Sequence, residues 1–513
     1  MLKGLSEQEI QKHGLNARDI GIHQRRIHSS LQKNMTSTIK ILDTWRLDNQ
    51  GILPQRYFKI DEKVPVDGFV AFVPAAGAAS RYFQPLQTLR QALADNDGKA
   101  INEQLKNLYA QGGHAWPLPE NLAKLIRSIP MSFTEQTLRD AIKSIDSPKA
   151  LLPSRVNGSS YLEKKRSEHA KIKGLIAEVY VAPLGCSETF SQHLNTKIDG
   201  KNPSKSNPLL FLEQGPELST LRFTRDGLPY RDEAGNLSLV PAGHGMLVRL
   251  FPEIKKNYPK AHSLFIRNID NVIEDGEADL CLRDTQLFLA QHQAALGGIH
   301  RIRNALRAGK TEEAGKEADR LRSDFTKGRE RSPTWIADLA SAYESLWRLL
   351  FELFHCPAVL AEELRARGDE LSALRKLYDR PLNALGQVPN NGKDVGGSPV
   401  RAVHENGEVS ICLELPHASP EDRKHFLEDP KVATHFNPVF VAAEIPEDIE
   451  VYDLEQCPFW ILAEKNIHGT PVVYHEIVLY EVLGNSYTAN VLFPEIPRRL
   501  FQPHKSLLDG LKK

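Results

Sequence analysis

The chain is poor in cysteine: its 513 residues include only five, namely Cys186, Cys281, Cys356, Cys412 and Cys457. They are scattered, none forms a C-x-x-C pair, and their number is odd. This pattern argues against a disulfide framework and against a zinc cluster built from cysteine pairs. Because free cysteines are typical of a reducing compartment, we expect a cytoplasmic protein.

The sequence also lacks a long apolar run. No stretch approaches the roughly 18 consecutive apolar residues that a membrane-spanning helix needs. The N-terminal residues lead into a charged helical segment rather than into the apolar core of a signal peptide. We therefore expect neither a signal peptide nor a membrane span.

An excess of charge of one sign is missing as well. Lys+Arg and Asp+Glu each number 65, which gives a formal net charge of zero at pH 7. No global field then favours nucleic acid or an acidic membrane, so any anion site must be local. With 41% hydrophobic and 25% charged residues, the composition is that of an ordinary globular protein, and the length allows about three domain-sized units.

Helix and strand patterns alternate along the first half of the chain. A capping box at Ser6 and Glu9 predicts a first helix, and a second helix is predicted over about 22–45. Short β-prone runs separated by helical stretches then occupy 69–73, 178–181, 208–212 and 264–266. This alternation predicts an α/β fold with a mostly parallel, doubly wound, Rossmann-like sheet.

Changes in this pattern divide the chain into four parts. Residues 1–60 form an N-terminal helical cap, and residues 61–280 contain the alternating strands and helices. Residues 281–378 have helix-forming composition and predict a helical insertion, either a lid or an oligomer contact. Residues 379–513 form a second β-rich part, with predicted strands at 409–413, 438–441 and 472–474.

The stretch Asn268-Ile269-Asp270-Asn271 directly follows the apolar run 263–266. Polar side chains at the C-terminal end of a strand lie where open α/β sheets bind ligands. Asp270 could hold Mg²⁺ through one carboxylate oxygen, with waters and substrate phosphates as the other ligands. The alternative is an Asx turn that only closes the strand.

A loop of small residues follows the run 69–73; it consists of Ala75, Ala76, Gly77, Ala78, Ala79, Ser80 and Arg81. Small side chains let backbone N–H groups approach phosphate oxygens, and Arg81 could bind a phosphate with two hydrogen bonds. The loop is neither a Walker loop nor the three-glycine dinucleotide fingerprint. A tight turn packed with alanines is the alternative.

Further candidate groups stand alone in the sequence. Lys149, between two prolines, could place a point charge on a phosphate. Gln214 ends a β-prone run and could read the edge of a base, and Gly243-His244-Gly245 could lie against a base or a sugar. Lys505 follows a proline near the C-terminus. For each of them a structural or solvated role is the alternative.

In this order the segments resemble the motifs of the UDP-sugar pyrophosphorylase superfamily, nucleotidyltransferases with a GT-A-like fold. The chain is also similar, over nearly its full length, to a bacterial family of unknown function numbered 4301. The resemblance implies that 61–280 is a nucleotide-binding part and that 379–513 holds a sugar-binding part. It implies an NTP:sugar-1-phosphate nucleotidyltransferase that needs Mg²⁺ and releases pyrophosphate.

The resemblance also implies a role for each matching residue. The loop from Ala75 to Ser80 would surround the triphosphate, with Arg81, Lys149 and Lys505 offsetting phosphate charge during catalysis. Asp270 would hold Mg²⁺ on the α-phosphate. The remaining substrate-binding positions would be Gln214 and Gly243 at the nucleobase, His244 and Gly245 near the nucleotide or sugar, and Asn268 and Glu414 at the sugar.

The chain departs from the superfamily pattern at Ala79, where a second glycine is usual. A methyl group there could block the approach of the β- and γ-phosphates. A non-catalytic nucleotide-sugar-binding protein of the same fold is therefore the alternative function. A nicotinamide-dependent oxidoreductase is disfavoured because the three-glycine fingerprint is absent.

Overall fold

A computed structural model describes residues 3–32, 39–55, 65–77, 86–110, 147–155, 158–198, 207–325, 333–394, 396–404, 407–457, 459–467 and 469–505. It also describes Trp116, Leu118, Leu122, Lys124, Gln136, Leu138 and Arg139. Of the predicted site residues, Ala78, Ala79, Ser80 and Arg81 lie outside these described residues.

The strands are β1 (Lys40–Thr44), β2 (Phe69–Pro74), β3 (Leu175–Pro183), β4 (Leu209–Gln214), β5 (Ser219–Leu221), β6 (Phe223–Thr224), β7 (Leu239–Pro241), β8 (Ser263–Arg267), β9 (Leu382–Leu385), β10 (Val388–Pro389), β11 (Ser398–His404), β12 (Gly407–Leu413), β13 (His435–Phe436), β14 (Phe440–Glu444), β15 (Leu462–Ile467), β16 (Thr470–His475) and β17 (Asn490–Leu492). The β-prone runs predicted from the sequence lie in or overlap these strands.

The α-helices are α1 (Glu7–Lys12), α2 (Ala17–Gln32), α3 (Gln87–Ala94), α4 (Gly98–Ala110), α5 (Tyr161–His169), α6 (Ser187–Ile198), α7 (Phe251–Asn257), α8 (Ala278–Arg307), α9 (Thr311–Phe325), α10 (Ser341–Glu352), α11 (Ala358–Ala366), α12 (Glu370–Tyr378), α13 (Pro420–Asp422) and α14 (Leu479–Leu483). Short 3₁₀ segments include Lys149–Leu151 and His244–Leu250. The stretch from α8 to α12 is thus helical; its role as a lid or an oligomer contact stays a prediction.

The largest sheet has seven strands in the order β17-β9-β14-β8-β2-β3-β4. Strands β3 and β4 pair in parallel, as do β17 and β9, whereas β14 and β9 are antiparallel. Strand β8 is buried along its whole length and β2 at all but its last residue, as expected of strands covered on both faces. The prediction of a mixed α/β fold with a mostly parallel sheet is confirmed, and its Rossmann-like and GT-A-like details stay predictions.

The N-terminal segment differs from its predicted form. Helix α1 begins with the predicted capping box, in which the Ser6 hydroxyl accepts from the Glu9 N–H at 3.2 Å. The predicted second helix over 22–45 is wrong in its last part, because α2 ends at Gln32 and Lys40–Thr44 form β1. Strand β1 pairs antiparallel with β11, placing Ile41 opposite Ala402. This distant partner overrides the local helical pattern.

The chain forms two compact units. The first unit consists of Met1–Val70, Gly215–Ile266 and Asp284–Arg498, and the second consists of Ala71–Gln214, Arg267–Arg283 and Arg499–Lys513. The predicted four-part division stays a prediction. Within the described residues, no helix is long and apolar enough to cross a membrane.

Each unit has its own apolar core. In the first unit, α1 and α2 bury Ile10 and Ile27 in one cluster with Phe223 and Val473. In the second unit, one cluster joins Ala75 at the end of β2, Ala150 beside Lys149, and Ile269 beside Asp270. Three segments that the sequence singled out are therefore anchored in the same core.

Candidate functional site

Asp270 stands on a turn at the C-terminal end of β8. The strand ends at Arg267, and the backbone N–H of Asn271 then donates to the carbonyl oxygen of Asn268 at 3.3 Å. Ile269 is buried in the core of the second unit, whereas Asn268 and Asp270 are half-buried. The turn therefore closes the strand and at the same time presents the Asp270 carboxylate at the surface of the core.

Lys149 meets this carboxylate. Its Nζ donates to Asp270 Oδ2 at 2.9 Å and to the carbonyl oxygen of His504 at 2.6 Å. The ammonium also lies 5.5 Å from the ring centroid of Tyr161, within the range of a cation–π contact. The Lys149 side chain is 11% exposed and that of Asp270 is 25% exposed. Lys149 is therefore not a solvated surface lysine.

The segment around His504 completes the arrangement. The His504 N–H donates to the carbonyl oxygen of Asp270 at 2.9 Å, and the ring Nδ1 lies 3.1 Å from the carbonyl oxygen of Ser154. The sequence singled out the next residue, Lys505, which is exposed, with its ammonium 5.7 Å from the ring centroid of Phe501. Lys505 thus has a position beside the site, and its action on a phosphate stays a prediction.

A buried charged group supports the turn from behind, and the sequence did not indicate it. Glu168 accepts from the Ile273 N–H at 2.6 Å and from Arg267 Nη1 at 3.1 Å. Arg267 Nη2 and Lys165 Nζ both donate to the carbonyl oxygen of Asn271. Burial lowers the pKa of Lys165 to about 7. These side chains fix the backbone directly after Asp270.

Asp270 would supply the one carboxylate of the predicted Mg²⁺ site, and binding of the ion stays a prediction. Lys149 occupies Oδ2, and within the part of the chain that the structure describes Oδ1 accepts no hydrogen bond. Among the same residues, no group of three or more His, Cys, Asp or Glu side chains is placed to hold a metal. Mg²⁺ keeps several waters and takes one or two carboxylates plus substrate phosphates, so this donor set fits the ion only in the presence of a phosphorylated substrate.

The described part of the small-residue loop, Ala75 to Gly77, directly follows the end of β2. The Ala75 N–H donates to the carbonyl oxygen of Val181 at 2.9 Å, and Ala75 is fully buried. Ala76 is half-buried and Gly77 is exposed. A methyl group placed on Gly77 would meet no described atom within 4 Å. Packing against the described residues therefore does not require a glycine here, and the phosphate-binding role of the loop stays a prediction.

Gly243 and Gly245, which lie in the first unit, have a different explanation. Gly243 has a φ of +100°, and a Cβ on it would lie 2.4 Å from the carbonyl oxygen of Ile477. The Gly245 N–H donates to that same oxygen at 2.8 Å. Close packing against Ile477 accounts for both glycines without a ligand. The exposed His244 and the two glycines keep their nucleotide-binding roles only as predictions.

The remaining predicted residues have less distinctive surroundings. Gln214 is the half-buried last residue of β4, paired with Pro183 of β3. Glu414, in the first unit, is half-buried and precedes the 3₁₀ segment Leu415–His417. The second unit thus brings together Ala75, Lys149 and Asp270 around one core, and the roles of Gln214, Asn268 and Glu414 stay predictions.

Comparison with known proteins gives a family match and a likeness to solved structures. Residues 183–319 match the family described as Domain of unknown function (DUF4301), which confirms the resemblance over this stretch. No curated protein matches the chain. Among solved structures, the chain is similar to the "putative UDP-N-acetylglucosamine pyrophosphorylase from Entamoeba histolytica". The identity is 9% and the TM-score 0.36, over 91% of this chain and 82% of that chain.

Proposed function

We propose that the chain is an NTP:sugar-1-phosphate nucleotidyltransferase of the UDP-sugar pyrophosphorylase kind. The observation that carries the proposal is the contact of 2.9 Å between Lys149 Nζ and Asp270 Oδ2. These residues are distant in sequence, and each was singled out independently as a phosphate or metal ligand. The order of the motifs along the chain and the shared core beneath Ala75, Ala150 and Ile269 support the same reaction.

In this reaction a phosphate oxygen of the sugar phosphate attacks the α-phosphorus of the NTP in line. The bond from the α-phosphorus to the oxygen that bridges to the β-phosphorus breaks, and pyrophosphate leaves with the electron pair. No covalent enzyme intermediate is needed, so catalysis depends on positioning and on charge stabilisation.

Lys149 and Asp270 would act together on the phosphates. When a substrate binds, the Lys149 ammonium can move a hydrogen bond from Asp270 to a phosphate oxygen, where it stabilises charge in the transition state. Mg²⁺ bound at Asp270 would supply a Lewis acid on the α-phosphate. The support from Glu168 and Arg267 would hold the carboxylate in place during this exchange of partners.

Substitution of either partner tests the proposal. Lys149→Ala and Asp270→Ala should each lower the turnover by roughly a hundredfold or more, the loss expected when one transition-state charge partner is removed. Pyrophosphate release would be measured with a panel of NTPs and sugar 1-phosphates. Lys171→Ala and Asp279→Ala, at exposed positions of the same unit, are the matched controls and should keep wild-type rates.

Unchanged pyrophosphate release in both Lys149→Ala and Asp270→Ala would rule out the assignment. Asp270→Asn separates chemistry from folding, because the carboxamide oxygen still accepts from Lys149 but carries no charge. It should lose turnover while keeping the wild-type melting temperature within a few degrees, and retention of full turnover would contradict the role of the charge.

A non-catalytic nucleotide-sugar-binding protein is the second candidate. It is favoured by the engagement of Lys149, which is 11% exposed and already donates to both Asp270 and His504. An ammonium held by these two hydrogen bonds is suited to a structural role. This candidate predicts saturable binding of UDP-sugars without exchange of labelled pyrophosphate into the NTP, and a Lys149→Ala variant that melts earlier but binds equally well.

A further inference from the structure

Asn271 is the most deeply buried residue of the stretch 268–271, with an exposed fraction of 1%. Its main-chain N–H donates to the carbonyl oxygen of Asn268 at 3.3 Å. Its own carbonyl oxygen accepts from Arg267 Nη2 at 3.0 Å and from Lys165 Nζ. The main chain of Asn271 is therefore fixed by the turn after β8 and by α5, and its carboxamide is left to contact another part of the chain.

The carboxamide of Asn271 holds the chain at residues 500–504. Its Oδ1 accepts from the Gln502 N–H at 2.9 Å, and its Nδ2 donates to the carbonyl oxygen of Leu500 at 3.0 Å. An isolated antiparallel bridge also pairs Asn271 with Pro503. One side chain thus offers both a donor and an acceptor to the main chain of segment 500–504, as the main chain of a neighbouring strand would do.

These two hydrogen bonds explain why residue 271 is an asparagine. A carboxamide carries a donor and an acceptor, whereas an ionised carboxylate carries only acceptors and a leucine side chain carries neither. Leu500 is 1% exposed, so its carbonyl oxygen could not replace a lost donor with bulk water. The residue type at position 271 therefore matches the main-chain groups of segment 500–504.

Segment 500–504 ends at the site. The His504 N–H donates to the carbonyl oxygen of Asp270 at 2.9 Å, and the His504 carbonyl oxygen accepts from Lys149 Nζ at 2.6 Å. Gln502, which Asn271 holds, is two residues from His504. A shift of the segment at Gln502 would consequently move the oxygen that binds the Lys149 ammonium.

We propose that Asn271 is a positioning residue for Lys149. By holding segment 500–504, its carboxamide sets the position of the His504 carbonyl oxygen and, through it, the direction of the Lys149 ammonium. This inference rests on the proposed function, in which that ammonium stabilises charge on a phosphate. Misplacement of a catalytic group by about 1 Å can lower a rate about a hundredfold, so a residue that fixes the neighbouring segment affects turnover.

The side chain of Gln502 is a second anchor of the same segment. Its Oε1 accepts from the Glu274 N–H at 2.6 Å, and its Nε2 donates to Glu277. These contacts do not involve Asn271, so Gln502→Ala removes them and keeps the main-chain N–H that Asn271 binds. Comparison of Gln502→Ala with substitutions of Asn271 therefore distinguishes the two anchors.

Pyrophosphate release by variants of Asn271 tests the proposal. Asn271→Leu removes both hydrogen bonds of the carboxamide, and Asn271→Asp removes the donor and keeps the acceptor. Each should lower kcat about tenfold or more and change the KM of both substrates less than about threefold, because the misplaced ammonium acts in the transition state. Gln502→Ala should lower kcat much less. Unchanged kcat in both variants of Asn271, or an equal loss in Gln502→Ala, would overturn the proposal.

Two comparisons separate positioning from a general loss of structure. Asn102→Asp makes the same change at an exposed position of α4 in the same unit and should keep the wild-type kcat. Assays well below the melting temperature of each variant measure folded protein, so a purely structural role of Asn271 would leave kcat unchanged there and would overturn the proposal. Asn271→Asp has almost the same shape as the wild type, and it remains informative if Asn271→Leu does not fold.

Hydrogen exchange at the His504 amide gives a readout that needs no substrate. This N–H donates to Asp270, so release of segment 500–504 should speed its exchange about tenfold or more in both variants of Asn271, and not in Asn102→Asp. Unchanged exchange in both variants would overturn the inference. A wild type that releases no pyrophosphate with any substrate pair would instead refute the proposed function, and the exchange rates would still show whether Asn271 holds the segment.

Discussion

Two buried glutamates of the first unit have opposite protonation states. Glu444 is 6% exposed and Glu481 is 0% exposed, so burial hardly distinguishes them. Burial raises the pKa of Glu444, but hydrogen bonds from His300 and Arg303 and from the Leu382 N–H outweigh it and lower this pKa to about 2. The Glu444 carboxyl group is therefore ionised at neutral pH.

Glu481 shows what burial does when such donors are missing. Arg26 is present but lies 3.8 Å away, and the carboxyl oxygens accept no hydrogen bond from the described residues. The pKa rises to about 8 through burial. The comparison teaches that the geometry of the donors, rather than the mere presence of an arginine, decides whether a buried acid is charged.

Removal of the charge at Glu444 should have the largest effect on stability. Glu444→Gln leaves Arg303, itself 8% exposed, without its counter-charge, and should lower the free energy of unfolding by about 3–5 kcal/mol. Urea denaturation at pH 7 measures this loss. Glu408→Gln, at an exposed position, should change the stability by less than about 0.5 kcal/mol. An equally small effect of Glu444→Gln would contradict the ionised state of Glu444 in the folded protein.

Glu481→Gln should raise the free energy of unfolding rather than lower it, and the gain should depend on pH. The folded-state pKa of about 8 lies above the unfolded value of about 4.5, so the stability that Glu481 contributes is complete below pH 4.5 and is lost as pH rises through 8. The variant has no such loss. Relative to wild type it should therefore gain about 3 kcal/mol between pH 5 and pH 8. If the stability of the wild type and of the variant changed equally with pH, the carboxyl group of Glu481 would not be neutral in the folded state.

Substitution of His292, which lies near Glu444 at Leu382, should have the smallest of the three effects on stability. This fully buried ring lies 3.2 Å from the carbonyl oxygen of Leu382, and burial lowers its pKa to about 4. Because the folded-state pKa is depressed, the associated stability is present above pH 6.5 and is lost as pH falls towards 4. His292→Gln should reduce the loss of stability between pH 7 and pH 5 by about 2 kcal/mol, as measured by denaturation at both pH values.

The sequence predicted those parts of the fold that depend on local patterns. The buried runs of β2 and β8 are continuous and apolar, and the polar residues after β8 mark the end of that strand. The end of the second predicted helix was wrong because Ile41 is buried through its pairing with β11, and no residue near 40–44 carries that information. Strand pairing across a long separation overrides helical propensity.

The sequence singled out two residues of the candidate site but not the groups that support them. Lys149 and Asp270 were singled out by residue type and position, and the structure places them in contact. Lys165 and Glu168 were missed because α5 is rich in charged residues with no apolar stripe, so its sequence reads as a solvated helix. Their burial results from partners at Arg267, Asn271 and Ile273, which only the folded chain brings near.

The acceptor that His504 offers to Lys149 belongs to the main chain. Any amino acid at position 504 would present the same oxygen, so a substitution there leaves this hydrogen bond in place and alters the contacts of the imidazole, among them those with Ser154 and Tyr161. Shortening the chain to end at Gln502 would instead delete the acceptor itself. Truncation therefore tests this anchor of Lys149, and comparison of natural variants at position 504 does not.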